Sequence, residues 1–180
     1  MGVDKASLIV GGMTLAERSI EALQGAGIER VIVVGGTNCF GLELIPDDDP
    51  GSGPVSAVLS ALAATAPADL VVLPCDLPFV ESHAVVALLE ESERRPEADV
   101  VVGTVDGRPA WPIAQWRRRC EVPLLAAHRN GGRSFSDAVV GLAMTLVELG
   151  PTIADADEPG DLRHTDTLAG GDQHDHGGAW

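Results

Sequence analysis

The chain is expected to fold as a three-layer α/β protein with a mostly parallel sheet. Three short runs, Val31 to Val34, Leu70 to Leu73 and Val100 to Val102, are apolar and β-branched without polar alternation. That is the pattern of strands covered on both faces. Segments with helical start and stop signals lie between them, so helix and strand alternate along the chain. The length of 180 residues, 45% of them hydrophobic, suits one domain with a full core.

The elements follow in order. Thr14 to Ala26 opens with Thr14 and Glu17 at capping-box spacing and ends in a Gly-Ala-Gly stop. Pro54 to Ala64 is small and apolar, as suits a helix packed close on a sheet. Ser82 to Glu93 begins with a Ser read as its cap and continues as an amphipathic body. After Gly103 the pattern changes: "VDGRPAWPIAQWRRR" carries two prolines, two tryptophans and a basic cluster, and reads as an insert covering a site. A helical stretch near Arg133 to Leu142, a strand "MTLVEL" and the segment "IADADEPGDL" come next. The Gly-rich "TLAGGDQHDHGGAW" from Thr167 onward reads as a disordered tail, which leaves residues 1–166 as the domain. A parallel sheet ordinarily starts with a strand, and here a loop and a helix come first. A strand is therefore expected to be missing at the N-terminal side.

Composition excludes several classes. The net charge of -15 repels nucleic-acid backbones. It also opposes a phosphorylated ligand unless Lys, Arg, backbone N–H groups or a divalent cation relieve it locally. No apolar run is long enough to span a bilayer, and the start has no secretory-signal pattern. The three cysteines, Cys39, Cys75 and Cys120, are odd in number and form no CxxC pair. A reducing cytoplasm is the expected location.

Four stretches carry candidate chemistry. In "MGVDK", Lys5 suits a phosphate contact and Gly2 a close backbone approach; a solvated terminus is the plainer reading. In "LVVLPCDLPFV", Asp76 falls just past a buried strand between Pro74 and Pro78. Ligand sites in open parallel sheets lie at such strand ends, and a carboxylate there suits Mg²⁺ held against a triphosphate. The alternative is a cap for the next helix. In "PDDDPGSGPVSAVLSAL", Gly51 and Gly53 precede a helix start able to meet a nucleotide, or form an ordinary acidic turn. In "IADADEPGDL", Asp155 and Asp157 point the same way if extended, so Asp157 pairs with Asp76 around a metal or caps a helix. Weaker features are His174 and His176 in the tail, the arginines at 117–119, Trp111 and Trp116, and "NGGRS", where Arg133 or Ser134 can meet a phosphate.

Together and in order, these stretches resemble the molybdenum-cofactor guanylyltransferases. The family's opening motif, L-A-G-G-x-S-x-R-M-G-x-D-K, is matched only in its last part by Met1, Gly2, Asp4 and Lys5. Its G-P-L-A-G stretch corresponds to Gly53 to Ala57 ("GPVSA"), its C-D-x-P to Cys75 to Pro78, and its N-x-N-T-P-E-[DE]-L to Asp155 to Leu162. The "DGRPAWPIAQW" region matches a further family segment loosely. Two departures stand out: "GPVSA" lacks the family's second Gly, and Asp155 and Asp157 replace Asn.

The resemblance implies a nucleotidyltransferase fold and transfer of GMP from GTP to molybdopterin with release of pyrophosphate. It implies Mg²⁺ held by Asp76 and Asp157, phosphate contact by Lys5, a nucleotide pocket shaped by Gly53 and Pro54, and Asp47 as partner for guanine or ribose. The insert from Arg108 to Trp116 is expected to cover the pterin, and transient contact with molybdoenzyme-assembly proteins is expected. Asp4 before Lys5 favours the guanylyl branch over relatives that use CTP or a sugar phosphate. The family's first strand and its Gly-Gly loop are expected to be absent here, between the strands at Val31 and Leu70. The native start is then expected upstream of Met1. An inactive domain acting by partner binding is the alternative.

Overall fold

A computed structural model describes residues 5–150 of the chain. The elements begin with a 3-10 turn at Lys5–Ser7 and a small hairpin of β1 (Ile9–Val10) and β2 (Met13–Thr14). Its turn is Gly11-Gly12 with φ of 59° and 86°, positive at both central positions as the tightest hairpin turn demands. Helix α1 (Leu15–Gly25) starts at the expected capping box. Thr14 Oγ1 accepts from Glu17 N at 3.2 Å, and Glu17 Oε2 accepts from Thr14 N at 2.8 Å. Then come β3 (Ile32–Val34), β4 (Glu43–Ile45), α2 (Pro54–Thr65), β5 (Leu70–Val72), α3 (Ser82–Arg94), β6 (Val100–Val105) and β7 (Arg108–Trp116). A 3-10 turn at Arg118–Cys120 leads to α4 (Glu121–Arg129), α5 (Phe135–Ala138) and β8 (Met144–Glu148).

The predicted strands are β3, β5 and β6, and the strand expected at "MTLVEL" is β8. A four-stranded sheet runs in the order β5-β7-β6-β8, with β6 parallel to β8 and β7 antiparallel to both neighbours; β3 pairs in parallel with β4. The alternation of side chains along β6 separates two cores. Val100 and Val102 face α2, α4 and α5 with Val58, Leu62, Leu124 and Phe135. Val101 faces α3 with Leu77, Val85 and Leu88, beside Ala22 of α1. Helices therefore cover both faces, which is the expected three-layer α/β arrangement.

Several local expectations need correction. The segment from Arg108 to Trp116 is not a cover over a site but strand β7, inside the sheet between β5 and β6. Its two prolines hide the strand pattern. Ser82 is the first helical residue of α3 rather than its cap; Glu81 holds that place without a side-chain bond. The helix expected over Arg133 to Leu142 is shorter, spanning Phe135–Ala138, with Ser134 Oγ accepting from Asp137 N at 3.2 Å. Trp111 and Trp116 pack against the protein's own core. Trp111 and Trp116 stand 5.3 and 5.6 Å from the Phe135 ring, centroid to centroid, and Trp116 is fully buried.

The arginine cluster ties the sheet to its surroundings. Arg117 Nη1 pairs with Asp69 at 3.2 Å, and Arg118 with Glu121 at 2.6 Å. Arg119 Nε meets Asp99 Oδ1 at 2.5 Å while its Nη2 donates to the carbonyls of Pro96, Glu97 and Ala98 at 3.1, 2.9 and 2.7 Å. Asp69 and Asp99 directly precede β5 and β6, so the cluster lies at the amino ends of these strands. It bonds protein groups there rather than steering a ligand to the other end. The Arg119 guanidinium and the Ala143 N–H hold the Asp99 carboxyl below its ordinary range.

Candidate functional site

Of the candidate residues, Pro54 lines a cavity that reaches the carboxyl ends of β3 and β5, while Lys5, Asp47, Gly53 and Asp76 are not among its lining residues. Past β5 the chain runs Leu73-Pro74-Cys75 into a turn that carries Asp76, which is half-buried. Leu77 is fully buried directly after it, so the turn is pinned from below. Ser19 Oγ of α1 donates to Pro74 O at 2.8 Å, fixing the turn from the side. At this end a cavity of about 620 Å³ opens, lined by Ala6, Gly35, Asn38, Pro54 and Cys75 among others. The cavity thus brings the neighbours of Lys5 and Asp76 together with the start of α2. Lys5 itself is exposed, in the first 3-10 turn.

The start of α2 is held by a polar network. Gly53 stands at its N-cap with φ of 91° and no side-chain cap bond, and Pro54 occupies the first turn. A Cβ on Gly53 would stand 2.5 Å from Arg133 O. Packing against the α4–α5 connection thus requires a glycine here, whatever a ligand needs. Asp47 Oδ1 accepts from Ser56 Oγ at 2.5 Å and from Asp49 N at 3.1 Å, so one of its oxygens braces the loop. Asp47 lies beside Gly35, where a Cβ would come within 3.8 Å of its own Cβ.

Asp49 completes the network. Its Oδ2 lies 3.1 Å from His128 Nε2 and 3.2 Å from Arg133 Nη1. Hydrogen bonding from Ser52, then from Arg133 and His128, holds the Asp49 carboxyl below its usual range. The Arg133 of "NGGRS" therefore meets a carboxylate of its own chain. His128 and Ser56 have no sequence signal: the histidine is 79 residues from Asp49.

Gly2, Asp4, Asp155, Asp157, His174 and His176 lie outside the described residues. Among the described residues no group of three or more His, Cys, Asp or Glu side chains could hold a metal, and no helix is long and apolar enough to cross a membrane. Mg²⁺ asks for less than such a group. It commonly takes one or two carboxylates, with water and substrate phosphates completing its shell. Asp76, on a pinned turn directly after Cys75 of the cavity lining, is a carboxylate of the kind such a site uses.

Residues 1–142 match the profile of the MobA-like NTP transferase domain. The chain belongs to this family. A protein of Opitutus terrae named "Probable molybdenum cofactor guanylyltransferase" is 37% identical over 89 residues, which cover 46% of this chain and 44% of that one. The curated relatives it matches are thus spanned over about half their length. The fold superposes on molybdopterin-guanine dinucleotide biosynthesis protein A of Archaeoglobus fulgidus with a TM-score of 0.74 at 18% identity, covering 93% of this chain and 91% of that one. It also superposes on 2-C-methyl-D-erythritol 4-phosphate cytidylyltransferase of Thermus thermophilus, with a TM-score of 0.70 at 22% identity and coverage of 92% and 93%. These likenesses confirm the nucleotidyltransferase fold expected from the family motifs.

Proposed function

We propose that this transferase moves GMP from GTP to molybdopterin and releases pyrophosphate. The observation that carries the reading is the place of Asp76. It stands on a braced turn past the carboxyl end of β5, directly after Cys75, which lines the cavity together with Ala6, Gly35 and Pro54. Ligands of open α/β sheets bind at such strand ends. The names of the curated relatives supply the choice of guanine nucleotide and pterin acceptor.

In this reading a terminal phosphate oxygen of molybdopterin attacks the α-phosphorus of GTP. The P–O bond to the β-phosphate breaks, and pyrophosphate leaves with the electron pair. The protein supplies position and charge, not a covalent intermediate. Lys5 contacts the phosphates as a point charge. The start of α2, shaped by Gly53 and Pro54 and without a side-chain cap, turns the positive end of its helix dipole to the nucleotide. Asp47, one oxygen braced by Ser56, keeps the other for guanine or ribose. Asp76, with Asp157 as its second carboxylate, holds Mg²⁺. An ion held there would supply charge neutralisation on the phosphates, which a protein of net charge -15 otherwise repels. Action in the cytoplasm, with transient hand-over to molybdoenzyme-assembly proteins, belongs to the same reading.

The test is Mg²⁺-dependent pyrophosphate release from GTP, CTP and ATP in the presence of molybdopterin. GTP is expected to lead. A lead by CTP would favour a second reading, cytidylyl transfer, which the likeness to a cytidylyltransferase keeps in view.

A further inference from the structure

Two serines of α2 fasten the loop that precedes the helix. Ser56 and Ser60 lie four residues apart, so they share one side of α2, and both are almost fully buried, at 3% and 4% exposure. Ser60 Oγ accepts from Asp48 N at 3.1 Å. Ser56 Oγ has three oxygens in reach: Asp47 Oδ1 at 2.5 Å, Asp49 O at 3.2 Å and Gly53 O at 3.4 Å. A hydroxyl has one proton to give, and the shortest contact, to a charged acceptor, takes it. Pro54, Ala57, Val58 and Ala61 of the same helix line the cavity.

Asp47 Oδ1 also accepts from Asp49 N at 3.1 Å. That N–H lies two residues on in the same loop, whereas the hydroxyl belongs to the helix. Two donors from two elements fix the rotation of the carboxylate and fill the two acceptor positions of Oδ1. Among the described residues no hydrogen bond reaches Oδ2. Asp47 is half-buried and stands beside Gly35, which lines the cavity. The loop is tied down in turn through Asp49 to His128 and Arg133. Ser56 is this chain's own feature. It takes the fourth place of "GPVSA", where the G-P-L-A-G stretch has an alanine with no hydroxyl to give.

We infer that Ser56 is a positioning residue that leaves Asp47 one oxygen, Oδ2, for the nucleotide. A carboxylate that reads the guanine edge as a pair uses both oxygens, one for N1–H and one for the 2-amino group, in two parallel hydrogen bonds. With Oδ1 filled, that pairing is closed to Asp47. It accepts a single donor, a ribose hydroxyl or one N–H of the base, and does not select guanine by its donor pair. The inference rests on the nucleotide reading proposed above.

The test is calorimetric binding of the Mg²⁺ complexes of GTP and of four analogues, each lacking one donor: 2′-deoxy-GTP, 3′-deoxy-GTP, ITP and 2-aminopurine riboside triphosphate. The proteins are the parent chain, Asp47→Ala and Ser56→Ala. Asp47→Ala is expected to erase the preference for GTP over one analogue, at least about tenfold in the parent as suits a hydrogen bond to a charged group, and to keep the other three preferences. Ser56→Ala is expected to shrink that same preference and no other. Joint loss of the preferences over ITP and over the 2-aminopurine analogue in Asp47→Ala would mean a paired contact and overturn the inference. So would a Ser56→Ala protein whose preferences all match the parent's, or one that loses affinity for every nucleotide alike. A parent that binds none of the five rejects the nucleotide reading, and the ligand half of this inference with it. The bond itself is tested without ligand, by urea unfolding of Asp47→Ala, Ser56→Ala and the double variant. The double variant is expected to lose less stability than the two single losses together, and additive losses would overturn the hold of Ser56 on Asp47.

Discussion

Asp49 and His128 meet at 3.1 Å across 79 residues of chain, and Arg133 joins the same carboxylate oxygen at 3.2 Å. This contact binds the loop before α2 to α4 and to the turn that follows it. It positions the α2 start, where the nucleotide is proposed to sit.

The Asp49 carboxyl is held below its usual range, so the sign of its pH effect is fixed. A lowered folded value means the stabilisation is complete above the unfolded carboxylate value, about 3.9. It is lost as pH falls through the folded value. Thermal unfolding followed from pH 7 downward should show the midpoint of the parent chain falling below about pH 4. Asp49→Asn should start lower at pH 7 and lose less on acidification. Parallel curves for the two proteins would remove Asp49 from the pH response.

Gly53→Ala should destabilise the protein by about 1–3 kcal/mol, because alanine is strained at positive φ. The new Cβ also meets Arg133 O at 2.5 Å. Urea unfolding measures this. A neutral substitution would show that the α4–α5 connection yields freely.

Phe135→Ala should cost about 3–5 kcal/mol, since it opens a hole against Trp111 and Trp116. Unfolding should be accompanied by an early change in tryptophan fluorescence. An effect well under 1 kcal/mol would mean the aromatic cluster carries little of the core.

Asp76→Ala should reduce Mg²⁺-dependent turnover by at least about 100-fold, the scale of losing a group that acts on transition-state charge. The circular dichroism spectrum should stay that of the parent, since Asp76 sits on a turn whose packing is carried by Leu77 and by Ser19 on Pro74 O. Turnover near that of the parent would sink the metal assignment.

Strands β3, β5, β6 and β8 and helices α1, α2 and α3 were legible because each combines local pattern with unbroken or periodic apolar residues. Strand β7 was not. Pro109, Pro112 and the two tryptophans look like loop chemistry until Ala114 and Trp116 are seen against Val102 and Val100 of β6. The strand end that carries Asp76 could be read, since position past a buried strand is a local fact. The Asp49–His128–Arg133 contact could not, because it depends on how distant segments pack. A cavity lies along β3 and β5, which do not pair with each other among the described residues.

Guanylyl transfer is the central claim. Its most direct test is pyrophosphate release by the native protein, purified from its source, with Mg²⁺, molybdopterin and either GTP or CTP. The account predicts release that requires the pterin, is faster with GTP, and vanishes in Asp76→Ala. Release from GTP no greater than in Asp76→Ala, with Mg²⁺ and the pterin present, would contradict it.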